Sequence, residues 1–162
     1  MILRLDGGLN VHTLVLGDLQ TNCYVLVAAS DPLGAWVVDP GLSPQPLVDF
    51  LRGRDMEVRR ILLTHCHGDH IAGVSAVKEA WPEAILTAPR GEVGFLSDPM
   101  RNLSLPFGFR ITAPDPDAVI GPDEILEMGT VAWRTLDTSG HTPGGLSYYA
   151  QGSDVVITGD AL

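Results

Sequence analysis

Three of the chain's five histidines fall within six residues, His65-Cys66-His67-Gly68-Asp69-His70. Imidazole nitrogens and a carboxylate are donors that zinc and iron accept, so this spacing points to metal chemistry. In an extended segment, positions i and i+2 project to one side, which lets His65 and His67 meet at one ion. Asp69 and His70 lead into the next helix and can face a second ion nearby; the positive helix end would favour an ionised Asp69. Gly68 is read as giving the backbone its tight path between the two pairs. Cys66, between two inward histidines, should project the other way and pack rather than ligate. The plain alternative is a solvated turn rich in histidine. Its place directly after a buried strand favours the metal, because α/β sheets bind ligands at the carboxyl ends of their strands.

Two further candidates lie in the C-terminal half. His141 sits in Ser139-Gly-His-Thr-Pro-Gly-Gly145, a glycine-rich turn between strands, where an imidazole is either held rigidly or merely solvated. Asp160 follows Gly159 at a strand end, where a carboxylate can bridge two ions or serve as an ordinary turn residue. His12 has no partner pattern and reads as a strand residue. The chain has no G-x-S-x-G elbow, P-loop, Rossmann glycine pattern or C-x-x-C pair.

The elements that must position these residues are short. Strands are expected over 22–29, 35–39, 58–64 and 84–88, from β-branched and aromatic runs closed by turn residues. The Ile61-Leu62-Leu63 run suggests a strand buried on both faces. Ser43 reads as an N-cap with Pro44 at the first helical position, opening a helix to about Arg54 on Leu47, Phe50 and Leu51. A second helix is expected over 71–80, ended by Pro82, and a short one from Pro89 toward Leu96. Residues 97–122, rich in proline and turns, read as an ordered, irregular surface loop. Strands follow over 124–127, 131–138, 146–150 and 154–158. Strands with interleaved helices, then hairpins, predict a mixed, layered α/β architecture.

Composition sets the limits. A chain of 162 residues with 45% hydrophobic residues and mean hydropathy +0.17 supports one core and one domain, 1–162, and excludes disorder. Its apolar runs are too short for a transmembrane helix, and no signal peptide is read at its start. The net charge of −10 counts against nucleic acid and anionic membranes as partners, although a bound dication can reverse the sign locally. Two cysteines are too few for a disulfide scaffold, which suggests a reducing, cytoplasmic setting.

Thr64-His-Cys-His-Gly-Asp-His70, Gly140-His-Thr-Pro-Gly144 and Thr158-Gly-Asp160, in this order, resemble the metallo-β-lactamase-fold superfamily. Asp39-Pro-Gly41 resembles its early strand-end turn, and Leu19-Gln-Thr-Asn-Cys-Tyr24 resembles the glyoxalase II-like (hydroxyacylglutathione hydrolase-like) branch. The resemblance implies an αββα sandwich with metals at one edge of the paired sheets. It implies that His65, His67 and His141 hold a first metal, that Asp69 and His70 hold a second, and that Asp160 bridges them. The cofactor implied is zinc, one or two ions, with iron or manganese as alternatives. The activity implied is hydrolysis of a thioester or ester in a small-molecule substrate by a zinc-bound hydroxide, with Asp69 orienting the attacking water. The family pattern also has a further histidine beyond Asp160, with a closing strand and helices. Residues 1–162 are therefore expected to lack the C-terminal part of the second layer and one ligand of the second metal. A sheet left uncovered would favour a homo-oligomer.

Two other readings stay open. His65, His141 and Asp160 also match the facial-triad set of mononuclear iron persulfide dioxygenases in the same superfamily. A non-catalytic fragment is the third.

Overall fold

The computed structural model describes residues 2–5 and 8–161. Within them, the first sheet has seven strands in sequence order: β1 (Ile2–Leu5), β2 (Leu9–Leu16), β3 (Thr21–Ala28), β4 (Gly34–Val38), β5 (Glu57–Leu62), β6 (Ile85–Pro89) and β7 (Ala118–Ile120). β1 to β4 pair antiparallel, and β4 to β7 pair parallel through crossovers that carry α1 (Gln45–Arg52), α2 (Gly68–Ile71) and α3 (Val74–Ala80). The second sheet is an antiparallel meander of β8 (Ile125–Met128), β9 (Val131–Asp137), β10 (Leu146–Ala150) and β11 (Val155–Ile157). No described helix is long and apolar enough to cross a membrane.

The core has two layers, one on each face of the first sheet. Val25, Val37 and Ile61 face α1 and α3, packing with Leu47, Leu51 and Val74. Leu26, Val38 and Leu62 face the second sheet, packing with Trp133 and Tyr148. Consecutive Ile61 and Leu62 thus serve opposite layers, as expected for a strand buried on both faces. Helix on sheet on sheet gives the first three layers of the αββα architecture.

Several local expectations are corrected. Ser43 is not the cap of α1: it lies outside the helix at φ 55°, and Pro44 takes the N-cap position without a side-chain bond. The helix expected over 71–80 is two helices. Gly73 donates its N–H to the Pro40 carbonyl and starts a new turn there, so the strand-end turn at 40–41 sets the break. No strand is expected from the sequence over β1, and in β2 only His12 reads as a strand residue, although Leu9–His12 alternate buried and partly exposed positions. β7 lies inside the segment expected to be loop.

The topology gathers the chemistry at one sheet edge. β4 and β5 run parallel with Val38 opposite Leu62, so Asp39 and the 63–67 segment leave the sheet side by side. β3 runs antiparallel to β4, which puts its first residue, Thr21, at the same end. In the second sheet, Asp137 pairs with Leu146, so the turn carrying His141 emerges at this edge too. Two bonds lock the sheets together there: the Tyr148 hydroxyl donates to the Leu63 carbonyl at 2.7 Å, and the Leu146 N–H donates to the Thr64 carbonyl at 2.9 Å.

Trp133 is fully buried between the sheets, yet its indole N–H has no acceptor. Trp133→Ala should cost about 3–5 kcal/mol in urea denaturation. Trp133→Phe should cost less than half of that, because it keeps an aromatic ring and removes an unsatisfied donor. A phenylalanine variant as unstable as the alanine variant would contradict this packing.

Candidate metal centre

A buried carboxylate organises the edge. Asp39 is fully buried and sits at φ 50°, a left-handed conformation that Asp adopts more readily than most residues. Its Oδ1 accepts the Thr64 N–H at 2.8 Å, and its Oδ2 accepts the Thr64 hydroxyl at 2.6 Å and His70 Nδ1 at 3.0 Å. With its proton committed to Asp39, the Thr64 oxygen is left to accept from His65 Nδ1 at 3.1 Å. Both rings thereby carry a hydrogen on Nδ1 and aim Nε2 outward; a hydrogen bond on the far nitrogen is what orients a histidine toward a metal.

Outward they meet the other expected residues. His65 Nε2 is buried and has no hydrogen-bond partner. The ring centroids of His65, His67 and His141 are 4.6–5.0 Å apart, and His67 Nδ1 stands 2.9 Å from His141 Nε2. One ligand atom from each of the three lies within 4.8 Å of the others. Two nitrogens on one tetrahedral zinc, each about 2.0–2.1 Å from it, stand about 3.3 Å apart, so the observed spacing needs little adjustment to hold a common ion. Beside this group, His70 Nε2 faces Asp69 Oδ2 at 3.4 Å and Asp160 Oδ1 at 3.3 Å. The second oxygen of Asp160 is 3.6 Å from His141 Nε2. Asp160 therefore spans the two groups, and all six expected residues converge on one locus.

Cys66 points away. It is buried among the helix-side core residues, and burial, with Glu92 adding to it, raises its thiol pKa, so it stays a neutral packing group. Gly68 is needed for a different reason from the one expected. A Cβ there would come within 2.7 Å of Ser104 Cβ, because the 97–117 loop packs directly on it. Gly159 has φ 56°, and its Cα lies so close to Thr64 that a Cβ would clash with the hydroxyl at 2.3 Å. Asp69 is held by a 2.8 Å hydrogen bond from the Thr21 hydroxyl rather than by a helix dipole, since α2 is a single turn.

Three supporting residues escaped the sequence reading. Asp39 was noticed only as part of a turn; a carboxylate ending the apolar run Ala35-Trp-Val-Val38 was the available signal. Thr21 figures only within the Leu19–Tyr24 stretch, with no role of its own, and Glu92 carries no signal. Glu92 is fully buried and accepts the N–H of Cys66 at 3.2 Å and of Gly144 at 2.7 Å, strapping the His65–His70 loop to the turn that carries His141.

Electrostatics separates the two groups. Burial, together with neighbouring His70, lowers the His65 pKa to about 4, so His65 offers a free lone pair at neutral pH. Burial opposes protonation of His70 as well, but Asp39, Asp160 and Asp69 outweigh it and raise its pKa to about 10. The hydrogen bond from His70 lowers Asp160 to about 2 against the opposing effect of burial.

These features agree with similarity to known proteins. The model of the "Metallo-beta-lactamase superfamily" matches residues 16–162, and the chain belongs to that superfamily. It is 34% identical to the "Probable metallo-hydrolase YqgX" of Bacillus subtilis (strain 168) over 91% of this chain and 68% of that protein. It is 27% identical to the "Hydroxyacylglutathione hydrolase GloC" of Haemophilus influenzae over 95% of this chain and 72% of that protein. Among solved structures, the BLEG-1 B3 metallo-beta-lactamase superposes with a TM-score of 0.86 at 35% identity, covering 94% of this chain and 72% of that one. TTHA1623, crystallised in a di-iron-bound form, shares the fold with a TM-score of 0.73 at 24% identity, covering 86% of this chain and 66% of that one.

Two predictions follow from the strap and from the charges. Glu92→Gln leaves one N–H facing an amide NH2, and zinc affinity measured by chelator competition should fall about 10- to 100-fold in a folded protein. Unchanged affinity would show that the strap does not position the ligands. Because His70 is protonated at neutral pH, an ion bound by its Nε2 must displace that proton. Zinc titrations at pH 7–8 in buffers of different ionisation enthalpy should therefore show net proton release, and binding should weaken as pH falls. Binding to the Asp69/His70/Asp160 group without proton release would contradict the raised pKa.

Proposed function

We propose that the chain is a metal-dependent hydrolase that cleaves a thioester or ester, with zinc as its ion. The observation that carries this reading is the pairing of two adjacent donor groups, His65/His67/His141 and Asp69/His70, with Asp160 reaching both. Their donor chemistry, imidazole nitrogen and carboxylate oxygen, suits zinc. Ions held there supply water ionised near neutral pH and a Lewis acid for the carbonyl.

The chain's own groups do the rest. His65 and His70 stay oriented because Thr64 and Asp39 fix their Nδ1 hydrogens. Asp69, fixed by Thr21, orients the attacking water and takes its proton. As the new C–O bond forms and the C–S or C–O bond breaks, that proton passes to the leaving thiolate or alkoxide. Neither cysteine competes as nucleophile, since Cys23 and Cys66 are both buried and burial raises both thiols. The relatives named hydroxyacylglutathione hydrolases support a thioester as the bond cleaved.

Elemental analysis, joined to a thioester hydrolysis assay, tests the reading. The expected result is at least one zinc per chain, with hydrolysis that Asp69→Asn lowers about 10²- to 10⁴-fold, the range of a lost acid–base group. A single iron per chain with oxygen consumption on a persulfide, and no hydrolysis, would overturn it in favour of the dioxygenase. A folded chain that takes up no metal would overturn it in favour of a non-catalytic role.

A further inference from the structure

The metal-ligand residues form only one wall of a cavity of about 320 Å³. The other wall comes from the 97–117 loop, through Leu103, Phe107, Phe109 and Ile111, and Leu19 joins from the β2–β3 turn. These apolar groups are open to solvent to an unusual degree: Phe107 is 66% exposed, Leu19 51%, Phe109 46% and Leu103 44%. Exposed apolar groups gathered at one concave site mark a binding surface more often than scattered ones do.

The loop is built to hold this wall in place. Buried Asn102 donates through its amide to the Phe95 and Ile111 carbonyls at 3.1 and 2.9 Å and accepts the Ser104 N–H at 3.0 Å. Its own carbonyl accepts the Gly68 N–H at 2.7 Å, so the loop is bonded to the backbone between His67 and Asp69. The Phe109 N–H bonds the Ser104 carbonyl at 2.9 Å, closing the turn that presents both phenylalanines.

Charge narrows the occupant. Among the described residues, the only carboxylates lining the cavity are Asp69 and Asp160, both at the candidate metal centre, and no Lys or Arg lines it. Arg110 follows Phe109 in the chain but is exposed and outside the lining. An anionic group would find no counter-charge along this wall, whereas an aromatic or branched aliphatic group would bury apolar surface at about 25 cal/mol per Å².

We propose that Phe107 and Phe109 form an acceptor site for an uncharged aromatic or branched aliphatic group attached to the substrate's scissile carbonyl. The assignment rests on the metallo-hydrolase reading for its orientation toward the carbonyl. It makes the substrate class a neutral, apolar acyl compound and leaves any anionic carrier outside this wall.

The test combines binding and turnover on the full zinc-loaded chain. N-methylbenzamide, a neutral carbonyl compound that carries its ring on the acyl side and resists hydrolysis, and S-methylglutathione are titrated by calorimetry, singly and in competition, into the wild type and a Phe107→Ala/Phe109→Ala variant. Thermal melts check that the variant is folded, as expected for substitution of two exposed side chains. The amide should bind the wild type and lose at least about tenfold in the variant, where about 1.4 kcal/mol is tenfold. KM for a benzoyl thioester should rise similarly, with KM for an acetyl thioester unchanged. Equal amide affinity in both proteins, or S-methylglutathione displacing the amide from the wild type, would overturn the proposal. If the amide binds through the two phenylalanines but neither a benzoyl thioester nor a benzoyl ester is cleaved, the hydrolase reading fails and the apolar site stands. If thioesters are cleaved with no dependence on the pair, the apolar site fails and the hydrolase reading stands.

Discussion

Asp39 is the constraint on which the site depends. A carboxylate this deeply buried is costly unless it is hydrogen-bonded, and here three donors meet it: the Thr64 N–H, the Thr64 hydroxyl and His70 Nδ1. Each bond that satisfies the carboxylate also does work elsewhere. The two to Thr64 hold the first residue of the histidine loop and, through its hydroxyl, the ring of His65. The third fixes His70. The strain of a left-handed φ at Asp39 persists because the parallel pairing of β4 and β5 and this network over-determine its place.

The supports around this hub come from four separate stretches of chain. Thr21 holds Asp69 from the start of β3, and Glu92 bonds both the histidine loop and the turn of His141. Gly159 lies against Thr64 and thereby brings Asp160 to the edge. Asn102 ties the apolar loop to Gly68. The candidate ligands are therefore tied by hydrogen bonds and close packing to several parts of the fold, which would lower the reorganisation that an ion requires. The same arrangement explains the unequal histidines: His65 is desolvated and neutral, whereas His70 lies among three carboxylates and keeps its proton.

What the sequence disclosed follows the range of the interactions involved. The histidine loop was legible because i, i+2 geometry and ligand chemistry are local, and the six candidate residues do converge. β5 was legible because a run of apolar residues between turns has few other uses. The sources of orientation were not, because Asp39 reaches His70 across 31 positions and Thr21 reaches Asp69 across 48. No window on the chain shows such pairs. Gly68 illustrates the same limit: its tight packing against Ser104 depends on a loop that arrives from elsewhere in the fold. The break at Gly73 was hidden likewise, since its partner is the Pro40 carbonyl.

The central claim is that Asp39, though not itself offered as a ligand, tunes the proposed metal affinity of the cluster by fixing His70 directly and His65 through Thr64. Asp39→Asn keeps the shape but turns one acceptor into a donor that must face Thr64 or His70. The most direct measurement is the zinc affinity of this variant by chelator competition, with circular dichroism melts to show that it is folded. An affinity about 10- to 100-fold below wild type in a folded protein is the result predicted. Wild-type affinity in a folded Asp39→Asn protein would contradict it.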